Sequence, residues 1–230
     1  MVNIVFVHGL NNTARVWDGV IRELPSSVRA HAVEVPAGDT VEEIAERLLA
    51  ELPETFYVCG FSFGGYVSLA MLDRAPERIE GICLAASSAF ADREAQIAAR
   101  KASIERAENG GFKDMVEESL PYMFLPAHLE DGEMMDTQSE MIRDYGPERY
   151  AAHTGATMAR PDRTDVFAES PLPKLLIAGE QDRIIPAKLM KKMADAAEDA
   201  EFAVIENTGH MIPLEQPGRC AELISGWACR

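Results

Sequence analysis

The feature that most constrains this chain is a G-x-S-x-G pentapeptide set between a strand and a helix. An apolar run over 56–59 leads into the pentapeptide, and a helical pattern over 66–72 follows it. This pattern predicts a nucleophile elbow, a sharp turn that holds its serine in strained backbone angles. Gly60 and Gly64 leave room for the strand and the helix to pack closely. Ser62 is therefore predicted to be a nucleophile beside a helix N-terminus, which favours developing negative charge.

Candidate partners for this serine follow two later strands. A predicted strand over 175–179 leads into Glu180 and Asp182, and a predicted strand over 202–206 is followed by His210. Serine is a weak nucleophile at neutral pH, so an imidazole must accept its proton and a carboxylate must orient that imidazole. The sequence predicts His210 as the base and leaves two carboxylates as candidates for the acid.

Backbone N–H groups suited to an oxyanion are predicted at two turns. The first predicted strand, over 3–7, ends in His8, Gly9 and Leu10, a turn able to aim an N–H at developing charge. The second donor is the N–H of Phe63, immediately after the serine. We expect His8 to hold the first turn in shape rather than to take part in catalysis.

Strands and helices alternate along the chain. Six predicted strands begin near residues 2, 30, 56, 79, 174 and 201. Their near-continuous hydrophobicity is typical of a parallel sheet that helices cover on both faces. The sequence therefore predicts the α/β class, with a mostly parallel sheet of about six strands.

Between residues 87 and 165 the pattern is helical only. A long predicted helix ends near Gly110, and a later one opens at Pro147. Such an insertion between consecutive core strands predicts a helical cap, or lid, over the C-terminal edge of the sheet. We divide the chain into an α/β core, 1–86 and 166–230, and a cap, 87–165.

The cap supplies candidate substrate contacts. Six of the eleven methionines lie in it, where flexible thioethers suit either an adaptable apolar pocket or packing between cap helices. Arg160 lies where the cap rejoins the core, and is suited to bind a substrate carboxylate bidentately or to form hinge ion pairs. We predict that Phe61, Met123, Arg160 and Met211 bind the substrate.

The motifs carry a resemblance to a known family. VFVHGLNN, GFSFGGY, IAGEQDRIIP and NTGHMIPLEQP are similar to segments of small bacterial α/β-hydrolases. That family includes esterases, lactonases, thioesterases and carbon–carbon bond hydrolases. The resemblance runs over 2–228 and is weakest over 87–165.

The resemblance implies one role for each of five positions. It assigns the nucleophile, the acid, the base and the two oxyanion-hole N–H groups to Ser62, Asp182, His210, Leu10 and Phe63 respectively. Two departures stand out. The loop after the second strand, 34–39, is shorter than the usual glycine-rich loop, and the chain leads straight into its first parallel strand. We therefore expect no N-terminal antiparallel strand pair.

Charge and composition limit the classes of molecule that the chain is expected to bind. A net charge of −16 argues against binding nucleic acid or anionic membranes, and no apolar stretch approaches the roughly 20 residues of a membrane span. No signal peptide is evident, and the four cysteines lack metal-ligand spacing. We expect a cytoplasmic monomer or homodimer that acts on a small molecule and uses neither metal nor cofactor.

Three functions stay open. The first is a carboxylesterase-like serine hydrolase that cleaves a small or medium carboxylic ester, thioester or lactone through an acyl-enzyme on Ser62. The second is a carbon–carbon bond hydrolase or lyase with the same triad. The third is a ligand receptor or regulatory partner with slow turnover. The complete set of catalytic residue types favours an enzyme, while fold alone does not choose its chemistry.

Overall fold

A single sheet of six strands forms the centre of the molecule in the computed structural model, which describes residues 1–230. The strands are β1 (Val2–Val7), β2 (Val28–Val33), β3 (Phe56–Phe61), β4 (Ile79–Ala85), β5 (Lys174–Gly179) and β6 (Ala200–Ile205). Their spatial order is β2-β1-β3-β4-β5-β6, and every neighbouring pair is parallel. The predicted α/β class and parallel sheet are confirmed.

Helices cover both faces of this sheet. They are α1 (Asp18–Glu23), α2 (Val41–Leu49), α3 (Phe63–Arg74), α4 (Glu94–Arg106), α5 (Phe112–Met123), α6 (Gly132–Ala159), α7 (Thr164–Glu169), α8 (Ala187–Asp195), α9 (Ile212–Glu215) and α10 (Pro217–Ala228). None of them combines the length and the apolar character needed to cross a membrane.

Successive side chains of each strand pack into two separate hydrophobic cores, one on each face of the sheet. Val5 of β1 belongs to the core shared with α2, α3 and α8, whereas Phe6 belongs to the core shared with α1 and α10. This alternation follows from the two-residue period of a strand, which points successive side chains to opposite faces. Both faces are therefore apolar, as a parallel sheet with helices on each side requires.

Helices α4, α5 and α6 lie between β4 and β5 in the chain, in the segment predicted to be the cap. Gly110 (φ 86°) separates α4 from α5, and Gly146 (φ 74°) breaks α6 just before Pro147. Both glycines adopt the left-handed region that other residues avoid. The start of a helix at Pro147 follows the sequence expectation, and the division into core and cap stays a prediction.

Candidate active site

Ser62 occupies the turn between β3 and α3 in strained backbone geometry, with φ 51° and ψ −116°. Its N–H donates to the carbonyl oxygen of Ala85 at 2.9 Å, and its own carbonyl accepts from the Ser87 hydroxyl at 2.7 Å. Both partners lie at or just beyond the end of β4. The neighbouring strand thus holds the serine in a conformation that a free chain would avoid.

The glycines of the motif are required by close backbone approach. A Cβ atom at Gly60 would lie 2.5 Å from the carbonyl oxygen of Gly64, and a Cβ at Gly64 would lie 2.2 Å from that of Val7. These distances are too short for any side chain. The helix α3 can therefore start directly against β1 and β3, which puts Ser62 at the sheet edge.

A chain of hydrogen bonds joins Ser62 to His210 and Asp182. The His210 Nε2 lies 3.0 Å from the Ser62 Oγ, and Nδ1 lies 2.8 Å from the Asp182 Oδ2. The other oxygen, Oδ1, accepts the N–H groups of Ile184 and Ile185 at 2.7 and 2.9 Å. A carboxylate only accepts, so Nδ1 carries the proton and Nε2 is free to accept one from serine.

The second candidate carboxylate points elsewhere. Glu180 Oε2 accepts from the side-chain amide of Gln181 at 2.7 Å and from the N–H of Asn207 at 3.3 Å. It is exposed, whereas Asp182 is buried against the imidazole. Of the two carboxylates left open by the sequence, Asp182 is the one in contact with His210.

Leu10 and Phe63 line the same cavity as Ser62, where their backbone N–H groups are the candidate oxyanion donors. The turn before Leu10 is fixed by the buried ring of His8. Its Nε2 accepts the N–H of Val35 at 3.0 Å, so Nδ1 carries the proton and donates to the Gly9 carbonyl at 2.9 Å. His8 therefore holds the turn, as its position in the sequence suggests.

Glu215 is a buried acid that sequence reasoning did not single out. Its Oε1 accepts the N–H groups of Gly209 and Met211, at 3.0 and 3.1 Å, the residues on either side of His210. Its Oε2 accepts the N–H of Leu125 at 3.0 Å. The carboxylate thus fixes the backbone that carries the imidazole. A single acid within the apolar segment after His210 is the signal that would have revealed it.

His153 of α6 packs directly on the residue that follows the nucleophile. Its ring stacks on the Phe63 ring with centroids 4.7 Å apart, and its Nε2 donates to the Pro36 carbonyl at 2.9 Å. Nδ1 is then the acceptor for the Tyr145 hydroxyl at 2.6 Å. Burial lowers the pKa of His153 to about 4, so the ring is neutral at pH 7.

The cavity above Ser62 has a volume of about 750 Å³, within the usual range for small-molecule sites. Its walls come from the core and from the segment after β4. Residues on the core side include Leu10, Ser62, Phe63, Tyr66, Ile184, Ile185, Leu189 and Lys192, and those on the other side include Phe90, Arg93, Gln96, Arg100, Arg160 and Asp162.

Only one of the four residues predicted to bind substrate lies in this lining. Phe61 is buried beside the His210 ring, and Met211 is buried in the core shared with α10. Met123 uses its carbonyl oxygen to accept the His210 N–H at 2.7 Å. Apolar side chains at these positions pack against the protein itself, and we find none of the three facing the cavity.

Arg160 lines the cavity, but most of its guanidinium is engaged by the protein. It donates to the carbonyls of Thr157 and Phe90 at 2.6 and 2.8 Å, pairs with Asp92 at 2.9 Å and covers the Tyr66 ring. The ion pair with Asp92 ties the two ends of the inserted segment together. The Nε of Arg160 is buried without a hydrogen-bond partner.

No group of three or more His, Cys, Asp or Glu side chains is arranged to hold a metal ion. The chemistry that the residues present can perform is proton transfer and nucleophilic attack, from the hydroxyl, imidazole and carboxylate described above.

A model of the alpha/beta hydrolase family matches residues 4–223 of the chain. The chain belongs to this family. Among curated proteins, it is 25% identical to a pimeloyl-acyl-carrier-protein methyl ester esterase of Aeromonas hydrophila, over 96% of this chain and 93% of that protein. An enzyme of the same name from Aromatoleum aromaticum is 26% identical, with 96% of each chain covered.

Solved structures give the same family relationship. A thermophilic esterase from Thermogutta terrifontis, solved with malate bound, superposes with a TM-score of 0.90 at 27% identity, covering 99% of this chain and 89% of that chain. The enol-lactonase of Burkholderia xenovorans superposes with a TM-score of 0.87 at 20% identity, covering 100% and 92%, and so shares the fold. The similar proteins are hydrolases, several of them named as esterases.

Proposed function

We propose that this protein is a serine esterase that hydrolyses a small or medium carboxylic ester, thioester or lactone through an acyl-enzyme on Ser62. The observation that carries the proposal is the 3.0 Å contact between the His210 Nε2 and the Oγ of Ser62, a residue that lines the cavity. Asp182 fixes the imidazole tautomer that leaves this nitrogen free to accept a proton.

The first half of the reaction forms the acyl-enzyme. Ser62 Oγ attacks the ester carbonyl while His210 Nε2 takes the hydroxyl proton. The carbonyl oxygen becomes an oxyanion, which the N–H groups of Leu10 and Phe63 stabilise. Collapse of this intermediate breaks the bond to the leaving group, and His210 returns its proton to the departing oxygen or sulfur.

The second half regenerates the free serine. A water molecule gives a proton to His210 Nε2 and attacks the acyl carbon through the same oxyanion site. Collapse of the second intermediate breaks the bond to Ser62 Oγ, which recovers its proton from the imidazole. The net reaction consumes the ester and one water and yields a carboxylic acid and the alcohol or thiol group released in the first half, with Ser62 and His210 restored.

The relatives support an ester as the scissile group, since the curated ones are named methyl ester esterases and the Thermogutta protein is named an esterase. The inserted segment 87–165 supports a cap, because it contributes Phe90 and Arg100 to the cavity wall. The four cysteines are unpaired, three of them buried, which suits a reducing cytoplasmic setting.

Covalent labelling tests the nucleophile. A fluorophosphonate should add one equivalent to the wild-type protein, with the modified peptide containing Ser62. Chromogenic esters of increasing acyl length, assayed in parallel, should show a pre-steady-state burst equal to the enzyme concentration if the acyl-enzyme accumulates.

The matched variant is Ser62→Ala, which removes one oxygen and should leave the fold unchanged by circular dichroism. We expect no labelling and a loss in kcat on the order of a millionfold. Retention of more than about a tenth of the wild-type activity, or labelling at another serine, would exclude Ser62 as the nucleophile.

A further inference from the structure

The cavity has the opposite charge from the protein as a whole. The chain carries a net charge of −16, yet four of the side chains that line the cavity are basic and one is acidic. The single acid, Asp162, has both oxygens engaged, by the N–H groups of Ala91 and Thr164 at 3.2 and 2.9 Å. A cationic cleft in an acidic protein concentrates anions at one place on its surface.

Arg100 is held in a fixed position with donors to spare. Its Nε donates to the Asp92 Oδ2 at 2.6 Å, and that carboxylate is completely buried. Asp92 also pairs with Arg160, so two arginines share one carboxylate and a positive charge remains. The two terminal nitrogens of Arg100 make no hydrogen bond within the protein, while its side chain stays partly exposed at the cavity.

Two more cations lie at the same cavity without a partner. Arg93 and Lys192 are both exposed in its lining, and neither forms an ion pair with a carboxylate of the chain. They come from opposite walls, since Arg93 immediately precedes α4 and Lys192 belongs to α8. An exposed cationic side chain is ordinarily just hydrated by solvent. Here, however, both accompany the fixed guanidinium of Arg100 around one cavity.

We propose that Arg93, Arg100 and Lys192 form an anion site, which binds a carboxylate or a phosphate that the ester substrate carries away from its scissile bond. The proposal rests on the serine esterase function proposed above. The planar pair of terminal nitrogens on Arg100 matches two oxygens of such a group, and Asp92 fixes the orientation of the guanidinium before the substrate arrives. Preferred substrates are therefore esters with a second, negatively charged end.

A pair of substrates measures this preference. The mono-p-nitrophenyl ester of adipic acid carries a carboxylate, and the corresponding ester of adipic acid monoamide is its neutral counterpart. We define the anion preference as the ratio of kcat/KM for the acid over kcat/KM for the amide. A charge-assisted hydrogen bond predicts a ratio of about ten or more for the wild-type enzyme.

Three variants locate the preference. Arg93→Gln combined with Lys192→Gln changes only exposed side chains and should lower the ratio by about tenfold. Arg100→Lys keeps the charge beside Asp92 but removes the paired terminal nitrogens, and it should also lower the ratio. The control is Lys191→Gln, because Lys191 is adjacent in the chain, pairs with Asp195 and is absent from the cavity lining. It removes one positive charge from the helix that carries Lys192, half of the charge that the double variant removes, and should leave the ratio unchanged.

Competition identifies the anion. Adipate and inorganic phosphate are each tested as inhibitors of the neutral ester, and the stronger inhibitor assigns the site to carboxylate or to phosphate, provided that the double variant weakens it. A wild-type ratio near one would overturn the anion site, as would an equal loss in the Lys191→Gln control. Either result leaves the esterase proposal intact if Ser62→Ala still abolishes hydrolysis of the amide ester.

Discussion

The two walls of the cavity are built in different ways. On the core side, α3 begins at the nucleophile turn and buries every residue from Phe63 to Leu72, whereas no residue of α4 on the opposite wall is buried. Close backbone contacts fix the core side, which we call the locked wall. Ion pairs between side chains order the opposite wall. Reaction chemistry needs atoms held within fractions of an ångström, and an exposed helix can change its side chains without disturbing that geometry.

Asp182→Asn removes the carboxylate that accepts from the His210 Nδ1 on the core side of the site. Of the variants that compare the two sides, it has the largest expected effect. An amide at this position stabilises the unproductive imidazole tautomer, so kcat should fall by about ten thousandfold while the protein stays folded. Steady-state ester hydrolysis and a thermal melt measure the two quantities.

The matched control for this variant is Glu180→Gln, two residues away and exposed. It removes the same charge without touching His210, so we expect activity within about twofold of the wild type. The reverse pattern of losses would mean that Glu180 supports the imidazole and that the locked wall has been assigned to the wrong carboxylate.

The His153 contact tests whether part of the inserted segment is as firmly fixed as the core. The pKa of His153 is lowered to about 4 in the folded protein, below the ordinary value of 6.5, chiefly by burial. As pH falls below about 6.5, the unfolded chain takes up this proton and the folded protein does not. The free energy of unfolding should therefore decrease between pH 6.5 and 4, by about 2 kcal/mol at pH 5.

His153→Gln should remove this component of the acid sensitivity. The measurement is urea unfolding at pH 7 and pH 5, compared between the wild type and the variant, because other groups titrate equally in both. Identical changes in stability for the two proteins would show that His153 is protonated in the folded state and that α6 is loosely docked.

Glu215→Gln tests how firmly the His210 loop must be held, because the Glu215 carboxylate joins that loop to Leu125 just after α5. The amide nitrogen would face backbone N–H donors, so the loop should shift and kcat should drop by about tenfold with a smaller change in KM. Glu222→Gln on α10 is the control, since Glu222 is exposed and pairs only with Arg219. Equal kcat values for both variants would exclude a positioning role.

The core side of the site could be predicted from the sequence because its geometry requires particular residue types at particular positions. Gly60 and Gly64 are needed by backbone contact, and His210 follows a strand whose end must lie at the sheet edge. The sheet itself was predicted for the same reason, since buried parallel strands are continuously apolar.

No sequence pattern predicted the role of the opposite wall of the cavity. Arg100 lies on an exposed helix, where a lone arginine resembles any solvated charge. Its role depends on Asp92, eight positions earlier and completely buried, a contact that only the tertiary structure creates. The sequence also left open whether apolar cap side chains face substrate or pack together. Phe112 and Tyr150 pack against each other, because burying apolar surface does not require a ligand.

The order of strands in the sheet has a consequence for how activity emerges during folding. β3 and β4, which frame Ser62, are neighbours in both sequence and space, whereas β5 joins β4 only after the long segment containing α4, α5 and α6 has folded back. Asp182 and His210 both lie beyond that segment, so closing this loop, with its entropic cost, must precede assembly of the triad. Recovery of ester hydrolysis on refolding should therefore lag behind formation of the first four strands and report the docking of β5.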